Sequence, residues 1–265
     1  MPYATVGTQR LYYEVGGEGE LAVLLHGSFA NADLLEGPAT AISSGFRALR
    51  LDRRGHGRSS DAPEPLSLAV EAAEIAALLD WFSVEKAHLL SHDDASEVAI
   101  QFALDYPDRT LSLALLAPTV EGFAWRDETR AARHRLLEAF VRNPRQAMED
   151  WLASPVFAAA KEEDLFDRIA AVYRTARVAG GSLERPPHGG PVQIQRLGEI
   201  GVRTAVLVGD REDPERIQCA SAIARGIPGT VGVTFPGVSR FLHMADSRHV
   251  MRWLTDFYIP PEPES

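Results

Sequence analysis

The chain has 265 residues, enough for one large hydrophobic core or for a core with a modest insertion. With 45% hydrophobic and 24% charged residues it has a globular composition, and a formal charge of −10 argues against nucleic acid or an anionic membrane surface as partner. A single cysteine, Cys219, excludes an internal disulfide and any cysteine-based metal cluster.

In chain order, residues 11–15 and 21–25 read as strands separated by the turn-prone Gly16-Gly17-Glu18-Gly19. The second is wholly apolar, as an inner strand covered on both faces must be, and it runs into His26-Gly27-Ser28-Phe29. Residues 48–52 continue the sheet and lead into Asp-Arg-Arg-Gly-His-Gly-Arg-Ser at 52–59. Ile75, Leu78, Leu79 and Phe82 recur on one face of a helix. Residues 87–90 form a strand entering a tight polar corner, 97–106 a helix stopped by Pro107, and 111–116 another buried strand. No basic, apolar signal segment opens the chain and no apolar run reaches about 18 residues, so a cytoplasmic location is expected.

From residue 118 to 191 the alternation of strand and helix stops. Leu165, Ile169, Val172, Tyr173 and Ala176 trace an amphipathic helix, and Leu136, Leu137, Phe140 and Val141 suggest another. Residues 185–191, which include His188, read as the hinge back to the sheet. Strand signals resume at 204–208 and 230–235 with a helix between them, and Val250, Leu254 and Phe257 mark a terminal helix. The expected division is a core over 1–117, a helical cap over 118–191, the rest of the core over 192–259, and a frayed tail over 260–265.

The corner Ser91-His92-Asp93-Asp94-Ala95 resembles the nucleophile elbow of the α/β-hydrolase superfamily, where G-x-S-x-G sets a serine on a strained strand-to-helix turn. Together with His26-Gly27, the 52–59 motif and Val208-Gly209, it makes nearly the whole chain resemble the cap-bearing α/β-hydrolases. That resemblance implies an α/β fold with a mostly parallel sheet, flanking helices and a cap over the elbow. It puts Asp93 at the nucleophile position, and an aspartate there resembles the epoxide hydrolases and haloalkane dehalogenases, whose carboxylate attacks carbon to give an ester. The plainer alternative is that Asp93 caps the following helix. Backbone N–H groups of Ser28 and Asp94 are expected to face a developing oxyanion, with Phe29 beside them. Asp94 and Ser28 stand where the dehalogenases carry tryptophan and asparagine, which speaks against halide as leaving group.

Near the C-terminus the family pattern G-H-F-x-H-x-E-x-P-x-x-V aligns with residues 239–250, and the catalytic histidine position holds Arg240. A guanidinium stays protonated and cannot deprotonate water, but it can pair with Asp93 or clamp an anion. His243 replaces the histidine only if the loop shifts by a turn. The family's acid falls on Glu212, or on Asp213 if one residue is inserted. Glu121, Tyr173 and His188 are candidates to line the crevice. No spacing spells a metal site or a nucleotide loop, so neither metal nor cofactor is expected. The resulting expectation is an enzyme, monomeric or homodimeric, acting on a small hydrophobic metabolite in bacterial specialised metabolism. The expected chemistry is non-hydrolytic (cyclase, lyase or isomerase), with Asp93 as general base and Arg240 as anion clamp. The alternatives are an epoxide hydrolase-like hydrolase and a non-catalytic small-molecule-binding protein.

Overall fold

The computed structural model describes residues 2–179, 185–186, 190–245 and 247–258. Its strands are β1 (Tyr3–Val6), β2 (Gln9–Gly16), β3 (Leu21–Leu25), β4 (Arg47–Leu51), β5 (Ala87–His92), β6 (Thr110–Leu116), β7 (Arg203–Gly209) and β8 (Val231–Phe235). They form one sheet in the order β1-β2-β4-β3-β5-β6-β7-β8. β2 runs antiparallel to both of its neighbours, and the pairings from β4 to β8 are parallel. The fold is therefore the expected α/β architecture. β1, a strand the hydrophobic pattern did not announce, joins β2 through a two-residue turn in which Gly7 takes φ +59°.

Both faces of the sheet are covered, which is why β3 and β5 are buried at every residue. Leu21, Val23 and Leu25 face a core shared with α2 (Leu68–Trp81), α3 (Ala95–Asp105) and α9 (Pro214–Gly226). Ala22 and Leu24 face a second core with α1 (Glu36–Ile42) and α11 (Ser247–Tyr258). Local chemistry sets the helix starts: Ser67 accepts the Val70 N–H ahead of α2, and Asp213 accepts the Glu215 N–H ahead of α9, with Pro214 at its first position.

Between β6 and β7 the chain inserts α4 (Asp127–Arg142), α5 (Pro144–Ala153), α6 (Ala158–Glu162) and α7 (Phe166–Thr175), followed by the short α8 (Gln193–Arg196). Phe140, Met148, Leu152, Phe157, Ile169 and Tyr173 from the insertion pack on Phe29, Leu34 and Phe241 of the sheet domain. The far end of the insertion is strapped to the 52–59 turn. Gly57 N–H donates to Arg177 O (2.8 Å), Ala179 N–H donates to Gly55 O (2.7 Å), and Arg185 reaches Glu71 on α2. His188 and the tail 260–265 lie outside the described residues.

Candidate active site

The site is built at the end of β5. A buried strand must leave the sheet there and turn at once into α3, and the turn forces Asp93 into the left-handed region at φ +57°. Aspartate tolerates that conformation better than most residues, though it remains strained. The corner is braced from both sides. Asp93 N–H donates to Leu116 O (3.0 Å), and Ser96 Oγ bridges Asp93 O and Thr119 O, both at 2.7 Å. Gly27 has to be glycine because a Cβ would stand 2.9 Å from Asp93 Cβ and 3.1 Å from Asp94 Oδ1.

Two arginines converge on the Asp93 carboxylate. Arg216, in the first turn of α9, donates from its guanidinium to Oδ1 at 2.7 Å, and Arg240 approaches Oδ2 at 3.5 Å. Arg240 is in turn held by Glu212, through Nε at 3.2 Å and a terminal nitrogen at 3.4 Å. Burial by itself pushes the Asp93 carboxyl up, but Arg216 and Arg240 outweigh it and hold the group below the usual carboxylate range. The same contest, against Arg240 first and then Arg216, keeps Glu212 ionised. From α7, Tyr173 is buried over this cluster. Burial, and next the Asp93 charge, push its phenol well above the ordinary value, so it stays a protonated donor.

Of the two acids that the sequence left open, Glu212 is the one beside Arg240, whereas the Asp213 carboxylate is committed to capping α9. His92, directly before the elbow, accounts for the placement of Arg240: its Nε2–H donates to the Arg240 carbonyl at 3.1 Å. His243 is not beside Asp93. It lies on α10 (Leu242–Ala245), fully buried, with its ring 4.7 Å from that of His92, and burial holds it neutral far below its ordinary range. Glu121 ties the chain after β6 to α8: its N–H donates to Gln193 Oε1 at 3.3 Å, and its carboxylate accepts the Gln193 N–H at 3.4 Å. Phe29 stacks on Phe140 of α4 at 4.2 Å and joins the insertion to the sheet domain.

The oxyanion expectation needs correction. Ser28 N–H donates to Asp94 Oδ1 at 2.6 Å, and Ser28 Oγ–H donates to Asp94 Oδ2. The side chain of Asp94 has folded back onto the loop after β3 and occupies the donor that was to meet a substrate oxygen. Burial works to raise this carboxyl, but Arg53, Arg133 and the Ser28 donors hold it far below the usual range. One helical turn on, Glu97 has the opposite fate. It accepts from Thr119 Oγ1 at 2.8 Å, and burial pushes it above the usual range. Arg216 and Glu97 were both missed from sequence. Neither belongs to a family motif, and a charged residue in the first turn of a helix reads as solvated.

Residues 22–156, just over half of the chain, match the family model described as alpha/beta hydrolase fold. The chain belongs to that family. It is an α/β-hydrolase-fold enzyme whose fold leaves the reaction open. Among curated proteins it is similar to a 2-hydroxy-6-oxo-6-phenylhexa-2,4-dienoate hydrolase of Comamonas testosteroni, at 27% identity over 77% of this chain and 74% of that protein. A putative carbamate hydrolase of Azorhizobium caulinodans is 30% identical over 54% of this chain and 56% of its own length. The chain spans only part of other curated relatives, as little as 32% of the length of the dihydrolipoyllysine-residue acetyltransferase component of an acetoin cleaving system from Cupriavidus necator. Among solved structures, the enol-lactonase of Burkholderia xenovorans superposes with a TM-score of 0.82 over 97% of this chain and 99% of its own, at 19% identity. Among the described residues no helix is long and apolar enough to cross a membrane.

Proposed function

We propose that this α/β-hydrolase-fold enzyme catalyses a non-hydrolytic reaction (cyclisation, elimination or isomerisation) on a small, partly hydrophobic metabolite that develops negative charge on oxygen. The observation that carries the reading is the row Arg216–Asp93–Arg240–Glu212, in which permanent cations flank the carboxylate at the elbow. Asp93 removes a proton from the substrate and Arg240 stabilises the oxyanion that forms. The captured proton then returns elsewhere on the carbon skeleton; where the electron pair instead expels a leaving group or closes a ring, Asp93 passes the proton to the departing group or to the oxygen that has become anionic. No water is consumed. Pairing with arginines weakens Asp93 as a base, so the proton it takes is an activated one, next to a carbonyl or on an enol. Burial of Asp93 and Arg240, with Tyr173 close to both, strengthens the Arg240 interaction by excluding water.

The left-handed turn at Asp93 also supports a second reading, in which the carboxylate attacks an epoxide carbon and the ester is later hydrolysed. Reaction in oxygen-18 water separates the two. A panel of terminal epoxides, p-nitrophenyl esters, β-hydroxy ketones and enolisable keto acids is incubated with the enzyme, and products and the Asp93 peptide are weighed by mass spectrometry. The proposal expects a label-free product, isomeric with the substrate or lighter by a leaving group, and a loss of roughly 100-fold or more in Asp93→Asn. Label in the Asp93 peptide and then in the product selects the hydrolase. Conversion by Asp93→Asn at the wild-type rate removes Asp93 from the mechanism. Tight binding without conversion leaves only a binding role.

A further inference from the structure

Arg216 and Arg240 both face Asp93, but they are held differently. Arg240 is 9% exposed and is pinned by Glu212 through two nitrogens, with His92 fixing its carbonyl. Arg216 is 19% exposed, and among the described residues its hydrogen-bonded partner is the Asp93 carboxylate alone. A guanidinium with one carboxylate partner, at the solvent side of a buried site, exchanges that partner readily for another planar anion. Glu215, its neighbour on α9, is by contrast committed to the backbone and side chain of Arg126 and to Thr129.

We infer that Arg216 is a substrate-binding residue that takes the carboxylate of an anionic substrate in exchange for Asp93 and thereby frees Asp93 to accept a proton. The inference rests on the proposed role of Asp93 as base and adds the substrate class: a small acid with an apolar body. The physical logic is an internal competition. At rest Asp93 and Glu212 face Arg216 and Arg240, two charges against two, while the nearby Asp94 is answered by Arg53 and Arg133. When a substrate carboxylate claims Arg216, Asp93 keeps only the longer contact to Arg240, and its basicity rises. His92 behind the elbow and Tyr173 above it complete the groups facing Asp93, and both are neutral. The base is thus quiet in the empty site and active in the filled one.

Benzoate serves as the probe, with benzamide as its uncharged counterpart. Calorimetry measures binding, and carbon-13 carboxyl resonances, with Asp93 assigned by its loss in Asp93→Asn, report the titration of Asp93. We expect the wild type to bind benzoate at least about 10-fold more tightly than benzamide, with the Asp93 midpoint moving up by about one pH unit on binding. In Arg216→Met benzoate binding falls about 10-fold and the Asp93 midpoint already lies higher, while Arg216→Lys keeps part of the affinity. Equal binding of benzoate and benzamide, or no benzoate binding, overturns the substrate class in the wild type alone, whatever the variants do. Benzoate binding that leaves the Asp93 midpoint in place overturns the exchange. Each of these failures leaves the proton-transfer role of Asp93 standing, because that role is read from products and oxygen-18 label.

Discussion

Two buried aspartates stand at the ends of strands that flank β3 in the sheet, Asp52 after β4 and Asp93 after β5, and both are paired with arginine. Asp52 is gripped by backbone as well as side chain. It accepts from Ala32 N–H at 2.8 Å, from Arg58 N–H at 2.7 Å and from Arg58 Nε at 2.8 Å. Gly57 is glycine because a Cβ there would overlap this carboxylate. Among the described residues no backbone N–H donates to the Asp93 carboxylate. Its charge is met by guanidinium groups from two other segments, one of them at the solvent side. Fixed N–H donors make a staple, whereas side-chain cations make a connection that a ligand can take over. On the proposed reading, the same residue type with the same kind of partner therefore serves structure at one strand end and chemistry at the other.

The largest effect that tests this contrast is on stability. Asp52→Asn puts an amide donor against backbone and guanidinium donors on one side or the other, and should cost about 3 kcal/mol or more. Asp93→Asn should cost less than about 1 kcal/mol, because Arg216 turns to solvent, Arg240 keeps Glu212 and asparagine suits the left-handed turn. Urea unfolding midpoints at neutral pH measure both, and equal costs would remove the distinction.

Acid provides a middle-sized test. His26, beside Asp52, is buried as the neutral ring: its Nδ1–H donates to Gly27 O and its Nε2 accepts from Arg53 N–H. Burial, followed by the charge of Arg53, lowers its pKa to about 4. An unfolded histidine binds its proton near pH 6.5, so between that value and about 4 the unfolded state holds more protons. Stability should therefore decline as pH falls through this window, by an amount on the order of 1–3 kcal/mol, with His92 behind Asp93 acting in the same direction. Asp93 and Glu212, whose folded values are depressed, lose their contributions only at lower pH still. A unfolding midpoint that stays flat from pH 7.5 to pH 5 contradicts the buried neutral rings.

The smallest effect separates two adjacent acids. Asp213→Ala removes a helix cap, at about 1 kcal/mol, and should leave turnover within about twofold. Glu212→Gln should change stability less, yet slow turnover about 10-fold by releasing Arg240. The reverse pattern would mean that Asp213 orients the arginine.

Most of the sheet was legible because β3, β5, β6 and β7 are apolar runs of strand length between turn residues. The elbow was legible because a polar corner of small residues follows such a run. Less was legible where a side chain's direction decides. Ser28 was correctly a loop residue at the sheet edge, but no pattern reveals that Asp94 would turn back and take its N–H. Arg216 escaped because its spacing from Asp93 is 123 residues and only the closure of the sheet brings them together. The tie of Glu121 to Gln193 escaped because it is a tertiary choice, made by a helix start 72 residues away.

The folded-back Asp94 also bears on how such a chain can change. An esterase needs an empty anion cradle, and a single cradle donor is worth roughly 3–4 kcal/mol in the transition state. Here the cradle holds the protein's own carboxylate, fastened by both donors of Ser28. Replacing Asp93 by serine would give a nucleophile facing a negative charge where its intermediate must place one. Replacing Arg240 by histidine would restore a base with nothing to stabilise the product of its work. Emptying the cradle first removes a charge that Arg133 and Arg53 answer, although Arg53 keeps its buried pair with Glu71. On the proposed non-hydrolytic reading, neither of these two replacements alone gives ester cleavage, because Asp94 keeps the cradle filled until it is itself replaced.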